Sequence, residues 1–512
     1  MPSYAACLLL CSTLLAQAQA QAPALEEVAL RAHLAFLADD VLEGRGTGQR
    51  GGELAVRYLE TQLQALGLKP VGEGGYRQKV RLAGIRLDAG TTFRFEGPGG
   101  ALSPALGTEL VLGPAAAEAQ VAVDAPLVFV GHGISDAQRD DYKGLDVRGR
   151  ILVMLVGDRQ GGPPMPLCCE AENYQGRWTY KFEEARRRGA AGALLVHTDG
   201  SAGYGWTVVR NSWSQERFQR EGAGQVGAAQ GWLTEATATR LFALAGRDFR
   251  SLAAGADRPD FQPVPLPLRG IGSLRSVVRR LDQWNVVGLL PGREPALSQE
   301  AVLLSAHWDH FGKGADGAIY PGAVDNATGC AGVLVLAKAL AAKPLARSVL
   351  FFFPCAEEHG LLGSAAYVEA PLWPLARTKL VINLESLNVV GPTRDIGILG
   401  TPEPGLRALC GEAAAAVGLT LTPPRPDPAG LCFRTDHFPF AKAGVPAVSP
   451  GFSLDGGWDY LGNRAVAQAQ AAAFMTRYHR PTDRYDPAWN LAGLMQQLRF
   501  SLELATRAAS AP

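Results

Sequence analysis

Four runs in this chain have few places to rest except the interior of a sheet. NVVGLLPG (285–292), AVLLSAH (301–307), SVLFFFPC (348–355) and KLVINLE (379–385) are apolar without the alternation of a half-exposed strand. Runs of this kind suit strands covered on both faces. GVLVLAKALAA (332–342) and PGLRALCGEAAAAVG (404–418) have the spacing of covering helices. The alternation predicts an α/β fold, a mixed β-sheet flanked by helices. Residues 25–38 and 53–67 also carry apolar residues at helical spacing, the second ending at Gly67, and Gln78 to Leu87 reads as a strand. The two N-terminal helices have no sheet of their own and are predicted to join the same domain.

Between residues 105 and 262 the texture changes. Short β-type runs such as PLVFVGHGI (126–134) and ILVMLVGD (151–158) are separated by Gly, Pro and Asp turns, and a helical FEEARRRGA (182–190) leads into AGALLVHT (191–198). This predicts a β-rich module inserted in the first domain. The expected organisation is a leader at 1–22, an N-terminal part of the main domain at 23–104, the insert at 105–262 and the rest of the main domain at 263–512. Residues 1–22 contain no charged residue, and the apolar stretch Tyr4 to Ala16 precedes AQAQAQA, the pattern of a signal peptide cleaved after Ala20 or Ala22. The stretch is too short to span a bilayer, so the expectation is an exported protein, periplasmic or secreted, with no stable membrane anchor. Export permits disulfides. Cys410 with Cys432, or Cys330 with Cys355, are candidate pairs, and free buried thiols are the equal alternative. Cys168 and Cys169 complete the set after cleavage, and no CxxC pair is present to make a thiolate zinc site. Lys+Arg and Asp+Glu number 49 each. A zero balance without a basic run argues against nucleic acid as a partner.

Polar residues cluster where the apolar runs end, and in open α/β sheets ligands bind beyond the carboxyl ends of strands. SAHWDHFG (305–312) puts His307 and Asp309 two apart on an extended chain, on one side. PGAVDNATGCAG (321–332) holds Asp325 in a turn before a helix, where a helix cap is the plainer use. In FFFPCAEEHGLLGS (351–364), Glu357 and Glu358 follow a wholly apolar strand. Adjacent carboxylates there repel, and a cation relieves the cost. VINLESLNVVG (381–391) ends its strand on Glu385, and TRYHRPTDRYD (476–486) supplies His479. Imidazole and carboxylate donors without thiolate suit two zinc, cobalt or manganese ions.

Taken together and in order, HxDH, GAxDNATG, AEExGLLGS, NLE and YHxPxD resemble the M28 family of dinuclear zinc metallopeptidases, the aminopeptidase and carboxypeptidase group. The resemblance covers most of the chain after residue 22. It implies a zinc peptidase-like catalytic domain and two divalent metal ions, zinc foremost. His307 and Glu385 would bind one, Glu358 and His479 the other, and Asp325 would bridge. Glu357 would be the general base and Asp309 would orient His307. The peptide after Asp309 would be cis. One position departs from the family, which commonly has Asp where this chain has Glu385. RTDHFPFAKAGVPAV (434–448) resembles the family's (S/T)DHxPF loop, which makes Asp436 and His437 groups of the substrate pocket or supports behind the ligands. The insert resembles a protease-associated (PA) domain through VFVGHGI, DDYKGLDVRGRILVMLVGD and GAAGALLVH; such a domain shapes access. GRWTYKFEEA (176–185) and WTVVRNSW (206–213) are candidates to approach the cleft, with ordinary aromatic packing the plainer reading.

The implied activity is hydrolysis of N-terminal residues from peptides with a free N-terminus, through a metal-bridging hydroxide and a Glu base. Carboxypeptidase or glutaminyl-cyclase-like chemistry, and a receptor-like binding protein without catalysis, are the alternatives on the same fold.

Overall fold

The computed structural model describes residues 24–510 apart from 73, 115–116, 137–138, 158–173, 203–204, 214, 223–228, 315, 401–402, 424–429, 452–459 and 461. The leader at 1–22 and the Cys168–Cys169 pair therefore lie outside the described residues.

The predicted mixed sheet forms, and its order explains where chemistry can sit. Ala301–Ser305 is central, parallel to Ser348–Phe353 on one side and to Thr378–Asn383 on the other. Thr378–Asn383 in turn runs parallel to Ala447–Pro450. The chain leaves the 301–305 strand for one neighbour and then returns to its other side. That reversal opens a crevice at the carboxyl ends. Three strands running the same way deliver the residues that follow them, 306–310, 354–358 and 384–386, to one edge.

The strands are buried for the reason their sequences suggested. Every residue of Ser348–Phe353 is buried. Phe351 and Phe353 enter a core with the Thr328–Ala342 helix, while Leu350 and Phe352 enter the opposite core beside Tyr367 and Phe440. Two-residue periodicity makes that division. Leu30, Leu34, Leu59 and Leu63, from the Glu27–Leu37 and Arg50–Ala65 helices, pack in the first of these cores. The Ala492–Ser510 helix, not anticipated from the sequence, closes the same core with Leu494, Leu498, Leu502 and Ala505. Their spacing of three and four carried the signal.

The largest surprise is one strand of 27 residues, Val264–Leu290. Its last part pairs antiparallel with Ser348–Phe353, and the middle with Arg77–Leu87. Its first part pairs with Gln120–Phe129 and Thr92–Gly97. Beyond Gln120–Phe129 the sheet continues through Ile151–Leu155, Gly192–His197 and Ala229–Thr234, all parallel. A separate core covers this half and joins Phe93, Phe95, Phe129, Phe242, Leu266 and Leu268. On its other face Trp178, Phe182, Trp213 and Trp232 pack together edge-on. The aromatic residues of WTVVRNSW and GRWTYKFEEA thus do the plainer job of packing.

Neither candidate disulfide forms. Cys330, Cys355 and Cys410 are free, and all three are buried, as is Cys432. Cys410 belongs to the core on one face of the sheet and Cys432 to the core on the other. The Cys330 thiol is spent on the carbonyl of His307, 3.1 Å away.

Candidate metal centre

His307 lies two residues past the central strand and has no exposed surface. Its Nδ1 is 3.0 Å from the backbone oxygen of Asp309 and 4.0 Å from the Asp309 carboxylate. An Nδ1–H donated to that oxygen leaves Nε2 with a free lone pair. Nε2 stands 3.0 Å from Glu385 Oε1, 3.3 Å from Asp325 Oδ1 and 3.9 Å from Glu357 Oε2. The Asp309 carboxylate instead accepts the backbone N–H of Glu357 at 3.1 Å and the Thr47 hydroxyl at 3.4 Å. It holds the loop that carries both glutamates.

Asp325 occupies a π-helical turn, Ala323–Ala327, in extended rather than helical conformation. Asp483 fixes that turn by accepting the N–H groups of Val324 and Asp325 at 3.0 and 3.1 Å. A cis peptide was expected after Asp309; the structure has it one loop later, between Asp325 and Asn326. Asn326 is pinned there by donating to Leu384 O and accepting from Gly329 and Ser386. Asp325 therefore faces two imidazoles, Oδ1 toward His307 and Oδ2 toward His479 Nε2 at 3.2 Å. Glu358 Oε2 is 3.3 Å from the same His479 nitrogen. His479 has positive φ and is one-third exposed. It stacks on Tyr478 at 3.6 Å and meets Phe311 at 4.6 Å.

All seven residues anticipated for the centre come together: His307, Asp309, Asp325, Glu357, Glu358, Glu385 and His479. Asp436 and His437 lie behind them. Asp436 accepts the Ser364 hydroxyl at 2.5 Å, and His437 Nδ1 meets the Thr435 hydroxyl at 2.5 Å. One residue was missed. His310 is wholly buried, with Nδ1 2.5 Å from Glu358 Oε1. The fourth letter of HxDH carried it, but alternation along an extended chain puts only His307 and Asp309 on one side.

The electrostatics are those of a cluster short of positive charge. Burial disfavours a charged His307, yet Glu385, Glu357 and the contact with Asp325 hold its imidazole well above the ordinary range. Burial, with Glu385 and Glu358 nearby, keeps the Glu357 carboxyl well above its usual range. Glu358 rises to about 8, chiefly by burial. Burial likewise raises Glu385 and Asp309, and takes Asp436 to about 7. Asp325 goes the other way. Burial opposes its charge, but His307 and His479 hold it well below the usual carboxylate range. Carboxylates that cling to protons in this way exchange them for a cation.

Two groups have the spacing to hold an ion: His307 with Glu357 and Glu385, and His310 with Asp325 and Glu358. Glu358 Oε1, Glu385 Oε2, His479 Nε2 and both His310 nitrogens are buried without an aligned hydrogen bond. Orphaned lone pairs of this number are costly in a native site and are what bound cations satisfy. The donors, imidazole and carboxylate, fit zinc.

A family model described as Peptidase family M28 matches residues 285–502. Leucine aminopeptidase 2 of Trichophyton equinum is 35% identical over 105 residues, 20% of this chain and 19% of that protein. A probable lipoprotein aminopeptidase, LpqL, of Mycobacterium tuberculosis is 30% identical over 166 residues, 32% of this chain and 29% of its own length. The matched segment thus spans about a fifth to a third of these relatives. The aminopeptidase from Aneurinibacillus sp. strain AM-1 shares the fold, with a TM-score of 0.55 at 19% identity over 95% of both chains. Residues 285–502 of this chain are thus similar to peptidase family M28.

Proposed function

We propose that this protein is a metal-dependent exopeptidase, an aminopeptidase that removes N-terminal residues from peptides and works with two divalent ions, most simply zinc. The observation that carries the reading is Asp325. Its two carboxylate oxygens face the Nε2 atoms of His307 and His479, each of which also faces a further carboxylate. His307 and Glu385 would hold one ion, His479 and Glu358 the other, with Asp325 shared. When bound, such ions supply Lewis acidity and lower the pKa of water.

The protein's own groups do the rest. Glu357 lies 3.9 Å from His307 Nε2 without a hydrogen bond to it, next to Glu358 but free to act as base. Glu357 takes the proton of the attacking water and returns it to the leaving amine. Asp309 keeps the Glu357 backbone in register. The segment 105–262, which resembles a PA domain, would shape access. Tyr174 packs against Phe433 and Phe438, and Glu183 pairs with Lys442 at 2.7 Å, so this half abuts the RTDHFPF loop. Export to the periplasm or beyond rests on the apolar, uncharged residues 1–22.

The test is Glu357→Ala. General-base catalysis contributes about 10²–10⁴-fold. The variant is expected to lose turnover by at least that lower figure while retaining wild-type metal content. Near-normal hydrolysis would remove Glu357 from this role. Cleavage of free but not N-blocked peptides is expected; the reverse preference would make the enzyme a carboxypeptidase.

A further inference from the structure

The geometry points to His310 as an additional ligand of the second ion, giving that ion two imidazoles where the resemblance supplied one. The inference rests on the two-metal reading and goes beyond its ligand set.

His310 is wholly buried, and neither ring nitrogen has an aligned hydrogen bond. One ring nitrogen lies with one oxygen each of Asp325 and Glu358 in a group whose donor atoms are all within 4.8 Å of one another. Its nearest neighbour, Glu358 Oε1, is 2.5 Å away and also lacks an aligned hydrogen bond. Close as they are, the two atoms make no aligned hydrogen bond, so neither satisfies the other. A cation shared by both would. Zinc–nitrogen and zinc–oxygen bonds of about 2.0–2.2 Å at a tetrahedral angle set such a pair about 3.4 Å apart, so the two atoms must part by about 0.9 Å on loading.

The surroundings hold the ring where it is. The His310 backbone N–H donates to Arg45 O at 3.2 Å, and residue 310 bridges to Gly46. A Cβ on Gly322 would come within 2.6 Å of His310 Cγ, so the ring occupies space that only glycine leaves. His310 and His479 stand with ring centroids 5.8 Å apart, on either side of Glu358 and Asp325. Phe311, the next residue, packs on His479. One strand end thus supplies a donor to the second ion and a wall for the other donor.

The experiment reads metal rather than turnover. Wild type, His310→Ala and His310→Asn are stripped with chelator and reloaded with cobalt(II). Ions per chain, affinity and the visible absorption of the second equivalent are then measured. Both variants are expected to keep the first ion at wild-type affinity. The second should bind at least ~10-fold more weakly, with an altered absorption spectrum. Wild-type affinity at both sites in His310→Ala would overturn the inference. So would recovery in His310→Asn, whose amide keeps a polar group near Glu358 but lacks the imidazole donor. X-ray absorption of the zinc-loaded wild type needs no variant: it should count three imidazoles over two ions, and a count of two would also overturn it. A wild-type protein that takes up no metal would instead defeat the two-metal reading.

Discussion

Arg45 shows how much of the candidate metal site is built by residues outside its donor set. Its guanidinium is fully buried and donates to four backbone oxygens, those of Leu37, Trp308, Pro321 and Gly322. Trp308 follows His307, and Gly322 precedes the turn of Asp325, so one side chain ties two donor loops to the N-terminal helices. Each stranded buried acceptor costs ~1–3 kcal/mol, part of it recovered by water. Arg45→Ala should therefore lower unfolding free energy by about 3–5 kcal/mol in a denaturant titration. Arg45→Lys should restore less than half, because a point donor cannot span four carbonyls as a fork does. Asp309 permits a finer test. Asp309→Asn keeps an acceptor for the Glu357 N–H, whereas Asp309→Ala does not. The alanine variant should lose roughly 10–100-fold in kcat with KM little changed, and the asparagine variant less than 10-fold. Equal losses would mean that the charge matters and the hydrogen bond does not. Arg45 was not legible in the sequence, and His310 showed only as the last letter of HxDH. Arg45 sits in a turn-rich stretch where its partners, residues 308, 321 and 322, are remote in the chain. The proposed ligands were legible because each ends a conspicuous apolar strand or lies in a distinctive turn.

At the scale of elements, the 27-residue strand decides how the two halves are joined. Only its apolar end, NVVGLLPG, read as a strand. The preceding GIGSLRSVVRRLDQW alternates buried and exposed positions and is rich in arginine, which disguises it. The strand also fixes what can be removed. The Asp88 N–H donates to Arg275 O at 2.8 Å, and Leu87 is registered with Ser276. Replacing 88–275 with Asn-Gly would join adjacent rungs through a two-residue hairpin. Removing only 105–262 would strand Phe93, Phe95, Leu266 and Leu268 without the rest of their core. The longer deletion is expected to give a soluble, less stable protein, because Phe218 on the Arg217–Arg220 strand is lost from the main core. The shorter deletion should aggregate. Size-exclusion chromatography of both checks this, and a soluble monomer from the shorter deletion alone would reverse the argument.

For the whole molecule, balanced charge conceals local imbalance. Lys+Arg and Asp+Glu cancel at 49 each, yet Asp309, Asp325, Glu357, Glu358 and Glu385 converge on one crevice with three imidazoles and no ion pair to Lys or Arg among the described residues. Without cations the fold must either bury repelling carboxylates or hold protons on them. The donor loops come from sequence segments spread between residues 307 and 479, so they are assembled only in the folded chain. Ions that bind the native state then stabilise it by mass action, about 2.7 kcal/mol at a hundredfold excess over Kd. For a chain of this size that is roughly 2–3 °C in Tm. Chelator should lower Tm by that amount and zinc should restore it. In Asp325→Asn the zinc-dependent rise should largely vanish, since the shared carboxylate is gone, and Tm in chelator should also fall below that of the wild type, because His307 and His479 lose the carboxylate that faces them both. A full zinc response in that variant, measured by calorimetry, would mean that Asp325 does not join the two halves of the centre.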